Sequence, residues 1–373
     1  MESKTSETSG RLQSLDALRG WNMFMLVGGK GLVLALAAAF GLAGDGAFVR
    51  QFSHVAWHGG VFWDFVYPLF VFISGVTYPF SRAGQVRRGF TDAQTYRAIL
   101  KRAFLLVALG TLGYSRFLST GSFFPWSVLG RIGFAWGVAA VLYVAVSRRA
   151  RIFWCAGILV AYWLLLRFVA APGSPAGADS LAQPYCLVTW LDRYLSVGHP
   201  RQYALSVLPM VSTAMLGMFA GEFLRWRPSE LSGNRRALLL AAGGLVLVAV
   251  GQLWAHGLGW MSFPINKMLW SSSLVLAYGG YATLLLAAFY WIIDVKGFRV
   301  WAFPFVVIGS NAILLYVASQ GMVDFGHTAK FLFGGVAGLL PDAWARVVLA
   351  FGFIVVYWIV LLFLYRRRIF FRV

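Results

Sequence analysis

Acidic side chains are scarce in this sequence: 13 Asp and Glu stand against 32 Lys and Arg in 373 residues. Charged residues of both signs make up only 12%, while 60% of the chain is hydrophobic. So little charge cannot clothe an ordinary soluble domain, and that class is excluded. Cysteine is nearly missing too, with two residues. Cys155 falls in an apolar stretch and Cys186 in a loop, which argues against a disulfide framework or a thiolate metal cluster and leaves the redox compartment open. The opening MESKTSETSG has no apolar core leading to a small-residue cleavage site, so the first apolar segment is expected to stay as an anchor.

What the chain has instead is long apolar runs, with a mean hydropathy of +0.72. They predict an all-α fold, a polytopic transmembrane helix bundle of about ten spans. The spans read 17–40, 60–80, 98–114, 129–147, 152–169, 203–222, 236–255, 268–292, 300–319 and 343–365. The net charge of +19 would suggest nucleic acid in a soluble protein. Here the basic residues cluster in alternate loops, which points to lipid headgroups and topology, with no nucleic-acid partner. The segments holding Lys4, Arg82, Arg148, Arg235, Lys296 and the YRRRIFFR tail all fall on one side if both termini are cytoplasmic.

The whole of 1–373 reads as one domain. Residues 1–15 form a cytoplasmic N-terminal segment, 170–202 an ordered extracytoplasmic cap loop, and 366–373 a basic cytoplasmic tail. The apolar stretch 331–340 is too short to cross and is expected to be a re-entrant, interfacial or core-packed half helix.

The stretch QFSHVAWHGGVFWDFVYPLFVFISG, residues 51–75, puts polar chemistry at the mouth of an apolar run. His54 and His58 precede the second span and Asp64 lies about one turn inside it. An imidazole beside a carboxylate serves as a general base, because the acid sets the tautomer and steadies the imidazolium. The two histidines lack the glutamate of an HExxH pair, so no metal is predicted. The same groups could equally be interfacial hydrogen-bonding residues, with Asp64 orienting helices. Trp57 and Trp63 read as belt or packing residues, Gly75 as a close helix contact, and Lys30 as a snorkelling cation. Arg131, Asn266, Lys267 and Asn311 are further polar groups in apolar surroundings. Together they suggest a polar cavity, which suits an enzyme or a carrier.

Several blocks in order resemble a family of transmembrane acyltransferases with animal and bacterial members. They are RLQSLDALRG at 11–20, HVAWHGGVFWDFVYPLFVFISGVTYPFS at 54–81, KRAFLLVALG at 101–110, LGRIGFAWGVAAVLY, FPINKMLWSSSLVLAYGG at 263–280 and FVVIGSNAILLYV at 305–317. In the animal member acetyl-CoA supplies the acyl group and a terminal glucosamine amine receives it. The resemblance implies acetyl-CoA or another acyl-CoA as cosubstrate, a sugar, glycan or lipid-linked saccharide as acceptor, and a multi-pass protein of the bacterial cytoplasmic membrane. It implies His54 as the catalytic histidine, from the arrangement His54, Trp57, Gly59, Asp64, with Asp64 orienting it.

Arg19, Lys101 and Arg102 would meet the phosphates of the cofactor, and Arg131 and Asn311 its pantetheine arm or the oxyanion. Two departures stand out. The first helix reads LVGGKGL where the animal member has an asparagine beside its glycine pair, and nothing in these residues corresponds to that member's large luminal domain. The alternative is a transporter of a small solute or lipid-linked sugar, and a third reading is a nonenzymatic membrane assembly protein. A homodimer is compatible with all of these.

Overall fold

The computed structural model describes residues 12–42, 44, 46–114, 125–195, 203–226 and 231–371. Lys4 and Arg11, most of the 1–15 segment, residues 196–202 of the cap loop and the last two residues of the tail lie outside the described residues. The rest is a helical bundle, in keeping with the all-α expectation. Its helices are α1 (Gln13–Ala39), α2 (Phe62–Arg87), α3 (Asp92–Tyr114), α4 (Val128–Ala145), α5 (Arg148–Phe168), α6 (Leu187–Leu195), α7 (Ala204–Arg225), α8 (Gly233–His256), α9 (Ser272–Val295), α10 (Phe303–Ser310), α11 (Ala312–Met322), α12 (Phe325–Ala337) and α13 (Asp342–Arg366).

Nine of the ten apolar stretches fall mainly on one helix each, and 300–319 is divided between α10 and α11. Seven helices among the described residues are long and apolar enough to cross a membrane, and an eighth crossing comes from α10 and α11 taken as one span bent by 75°. The helices α2 and α3 are as long but fall short of the same apolarity. The apolar stretch 331–340 belongs mostly to α12, a 13-residue helix packed on α13 and too short to cross.

In lipid no hydrophobic force drives helices together, so they associate where small residues let backbones touch. The contact of α2 with α7 is built this way. A Cβ placed on Gly75 would sit 2.0 Å from the Ala214 carbonyl oxygen, and one on Gly217 would sit 2.1 Å from the Phe72 carbonyl oxygen. The pair α1 and α10 repeats the device, with Gly20 against the Phe305 carbonyl and Gly309 against the Asp16 carbonyl. The order of contacts, Tyr67 at Met210, Phe72 at Gly217 and Val76 at Gly221, shows α2 and α7 running in the same direction.

One end is basic and tied by ion pairs. Glu222 of α7 takes Arg151 at 2.8 Å, Arg82 of α2 pairs with Asp92 at 3.2 Å, and the Asp294 carboxylate caps α1 by accepting from the Gln13 and Ser14 amides at 3.2 Å each. Serines cap helices at both ends of the bundle, Ser147 for α5 and Ser127 for α4, each accepting from the amide three residues on.

The other end carries the ordered loops. Residues 169–195 turn back on themselves through a bridge between Ala170 and Cys186 and then form α6. A small second core of Tyr162, Trp163, Leu181, Cys186 and Phe263 lies beneath them, with the Tyr162 hydroxyl donating to the Leu269 carbonyl at 2.6 Å. Trp57, from the loop before α2, donates its indole N–H to the Leu181 carbonyl at 2.8 Å. The cap loop and the histidine loop are thus fastened together.

Gly75→Val should separate α2 from α7, because the new side chain meets the Ala214 backbone. Melting of the purified protein should fall, at a cost of at least about 1–3 kcal/mol. An unchanged transition would mean that this contact does not hold the bundle.

Candidate active site

The site begins with how α2 starts. The chain reaches it through the loop 51–61, whose Gln51 holds the helix entry twice, the Phe62 amide donating to Gln51 Oε1 at 3.1 Å and the Trp63 amide to the Gln51 carbonyl at 2.8 Å. This clamp sets Asp64 in the first turn, where a carboxylate favours the helix dipole. Pro68, one turn on, has no N–H for the Asp64 carbonyl, which loosens the helix beside the carboxylate.

Asp64 is buried, its side chain 1% exposed, and His54 comes down to it from the loop with Nδ1 2.6 Å from Oδ1. Lys267, from the loop between α8 and α9, donates from Nζ to the same Oδ1 at 3.1 Å and lies 3.2 Å from His54 Nδ1. An imidazole nitrogen offers one in-plane site, a proton or a lone pair. Beside a carboxylate at 2.6 Å that site is an N–H donating to Oδ1, so the approach of Lys267 to Nδ1 is proximity and its hydrogen bond goes to the carboxylate. The neutral ring then carries its lone pair on Nε2. That nitrogen takes no hydrogen bond among the described residues, and the His54 side chain is 49% exposed. Asp64 Oδ2 is buried and takes no hydrogen bond among the described residues.

The loop that supplies Lys267 is stiff. The Asn266 side-chain carbonyl accepts from the Leu269 amide at 2.9 Å, and the Ser271 hydroxyl accepts from the Asn266 amide at 3.1 Å. The Ser273 hydroxyl donates to the Phe263 carbonyl. With its oxygen spent, Asn266 turns Nδ2 to His58 Nδ1 at 3.3 Å, so His58 accepts there and its proton sits on Nε2. A backbone bond from the Gly59 amide to the Ile265 carbonyl at 2.7 Å joins the two loops. Burial pulls His58 below the ordinary imidazole range, with Asp179 opposing, in keeping with its acceptor role. Burial also holds Lys267 below the usual lysine range. Asp64 raises it back, and the charges of Arg131 and Lys30 depress it further.

The other polar residues divide by location. Arg131, on the first turn of α4, stacks over Tyr67 at 5.1 Å, one turn below Asp64. Lys30 lies over the Trp63 ring at 4.5 Å, and that ring is 6.5 Å from His54. Arg19 and Arg102 both line a cavity of about 100 Å³, together with Ser74, Thr77, Val128 and Leu129. Lys101 is exposed on α3 and is not among the residues that line this cavity. Asn311 is buried at the break between α10 and α11. Its amide donates to the Ile369 carbonyl at 3.0 Å and accepts from the Phe371 amide at 2.8 Å, so it fastens the C-terminal segment. Among the described residues no three His, Cys, Asp or Glu side chains converge as a metal site.

Sequence reasoning places Lys267 among the groups of a polar cavity or at a helix end, but does not find its partner, since no spacing rule joins it to a carboxylate 203 positions away. The signal was its rarity: a lysine in an apolar loop next to a buried aspartate needs a partner.

Fold and site together define a polytopic α-helical membrane protein with a half-exposed histidine held by a buried carboxylate at one end of the bundle. No family model matches the chain. It is 26% identical to mouse heparan-alpha-glucosaminide N-acetyltransferase over 85% of its length, and 26% identical to the human protein of the same name over 83%. The chain spans about half the length of these curated relatives, 54% and 53% respectively. This distant homology supports a related transmembrane acyltransferase family.

If Asp64 and Lys267 act as one buried pair, their removals will not add. Asp64→Asn and Lys267→Met should each destabilise the protein, and the double variant should recover part of the loss. The expected coupling is about 0.5–3 kcal/mol by unfolding in mixed micelles. Additive losses would mean the contact carries no energy.

Proposed function

We propose that this protein moves an acyl group, acetyl in the first instance, from acyl-CoA on one side of the membrane to an amine or hydroxyl of a sugar or glycan on the other. The observation that carries this reading is the His54–Asp64 pair at 2.6 Å on a half-exposed imidazole. Nε2 takes the proton from the acceptor amine or hydroxyl as that atom attacks the thioester carbonyl. The tetrahedral intermediate collapses, the C–S bond breaks, and the imidazolium returns its proton to the leaving CoA thiolate. Asp64 keeps the ring in the productive tautomer and steadies the imidazolium. Lys267 helps to keep that carboxylate ionised in its buried setting.

The donor enters from the basic end in this account. Arg102 and Arg19, the latter 3.4 Å from the Asp16 carboxylate, line one cavity. Two guanidiniums so placed favour an anion between them, and the phosphates of CoA supply one. The cavity then leads a pantetheine arm between α1, α2, α3 and α4 toward Val128, whose carbonyl accepts from the Tyr67 hydroxyl at 3.4 Å beside Arg131. The concentration of basic residues at this end supports placing it on the cytoplasmic side, and in this proposal the protein lies in the cytoplasmic membrane of a bacterium with ten spans and both termini inside. The histidine end then faces outward, with residues 170–202 as its cap.

Purified His54→Ala should still bind acyl-CoA and release free CoA at least about 10²-fold more slowly than the native protein. Turnover at the native rate would defeat the assignment, and solute movement into proteoliposomes without CoA release would replace it with transport. A burst of free CoA in the absence of acceptor would mark passage through an acyl-imidazole on the same nitrogen.

Arg102→Gln should act on binding. The KM for acyl-CoA should rise about tenfold with kcat little changed, as expected for loss of a phosphate contact that is equally strong in ground and transition states. An unchanged KM would move the donor elsewhere.

A further inference from the structure

A groove of about 590 Å³ lies between the second half of α1, α12 and the first half of α13. Its walls are apolar, with Leu34, Leu349 and Phe353 among them, and it holds two cations, Lys30 and Lys330. Neither lysine has a carboxylate within ion-pair distance among the described residues. The nearby Asp324 is engaged in capping α12, accepting from the His327 amide at 2.8 Å. The Lys30 ammonium rests instead on the face of Trp63 and is close enough to Lys267 to repel it. An uncompensated cation in a membrane-facing groove is costly unless an anion visits it. The flank of the groove is itself lipid-like, with Phe331 82% exposed and Leu332 59% exposed on α12.

We propose that this groove binds a phosphate-bearing membrane amphiphile whose head group is the acyl acceptor. The phosphate sits between Lys30 and Lys330, the hydrocarbon chain lies along Leu34, Leu349 and Phe353, and the head group extends past Trp63 to His54. This deepens the transferase reading and rests on it for the role of the bound molecule. The chemistry is that of a long-chain alcohol phosphate carrying a saccharide. Trp63 gains a function by it, as the aromatic step between the groove and an imidazole 6.5 Å away.

The test uses the full-length protein in phosphatidylcholine nanodiscs, with farnesyl phosphate, farnesol and inorganic phosphate as probes and bound ligand read by native mass spectrometry. Farnesyl phosphate should bind at least tenfold more tightly than either farnesol or inorganic phosphate. The double variant Lys30→Gln/Lys330→Gln should lose that advantage. Gly31→Leu should weaken binding with both charges in place, since a Cβ at Gly31 meets nothing within 4 Å and the larger side chain fills the groove without strain. Equal binding by the double variant, or farnesol binding as well as its phosphate, would overturn the proposal, and inorganic phosphate competing as strongly would reduce the site to an anion site. No acyl donor is present, so binding that persists in His54→Ala separates a failure of the groove from a failure of the transfer chemistry.

Discussion

One buried carboxylate holds together two parts of the chain that are 203 positions apart. Asp64 cannot remain ionised in a helical bundle without donors, and His54 and Lys267 both bring theirs to Oδ1. That requirement explains why the loop before α2 dips toward the helix and why the loop before α9 is stiffened by its own side chains. It also decides the chemistry. With the carboxylate claiming Nδ1, the neutral imidazole keeps its lone pair on the opposite nitrogen, and half of the ring lies open. The same carboxylate would be a structural burden without those two partners.

The bundle serves this end of the molecule by fixing where its helices start. Close glycine contacts fix α2 against α7 and α1 against α10, while ion pairs and the Asp294 cap tie the basic end. A protein so arranged is asymmetric along the membrane normal, with cations concentrated at one end and a histidine pair at the other. A small cavity among the helices is lined by Arg19 and Arg102 together with Val128 and Leu129.

The helices were legible from apolarity alone because lipid leaves the backbone no other way to satisfy its hydrogen bonds. Each of the ten stretches is helical, although by length and apolarity only seven, or eight with the bent pair, qualify as crossings. The shortfall has a reason: α2 carries Asp64 and two prolines inside it, and α3 opens with charged residues. The bend of 75° at Asn311 left no sign in hydropathy, nor did the tertiary contact found there, in which the C-terminal segment occupies that side-chain amide. His54 and Asp64 were readable as a pair because only ten residues separate them. Lys267 was not, since spacing carries no information across 203 residues. Arg19 and Arg102 do meet at one cavity, whereas Lys101, next in sequence, points away from it on an exposed helix face, a distinction that only helix phase and packing supply.

The account turns on which nitrogen of His54 carries the proton. Nitrogen-15 spectra of histidine-labelled protein in nanodiscs, assigned by the signal lost in His54→Gln, read this directly. With the ring neutral, the account predicts a protonated, strongly hydrogen-bonded Nδ1 and an unprotonated Nε2, and loss of that preference in Asp64→Asn. A neutral ring protonated at Nε2 in the native protein could accept no proton there and would contradict it.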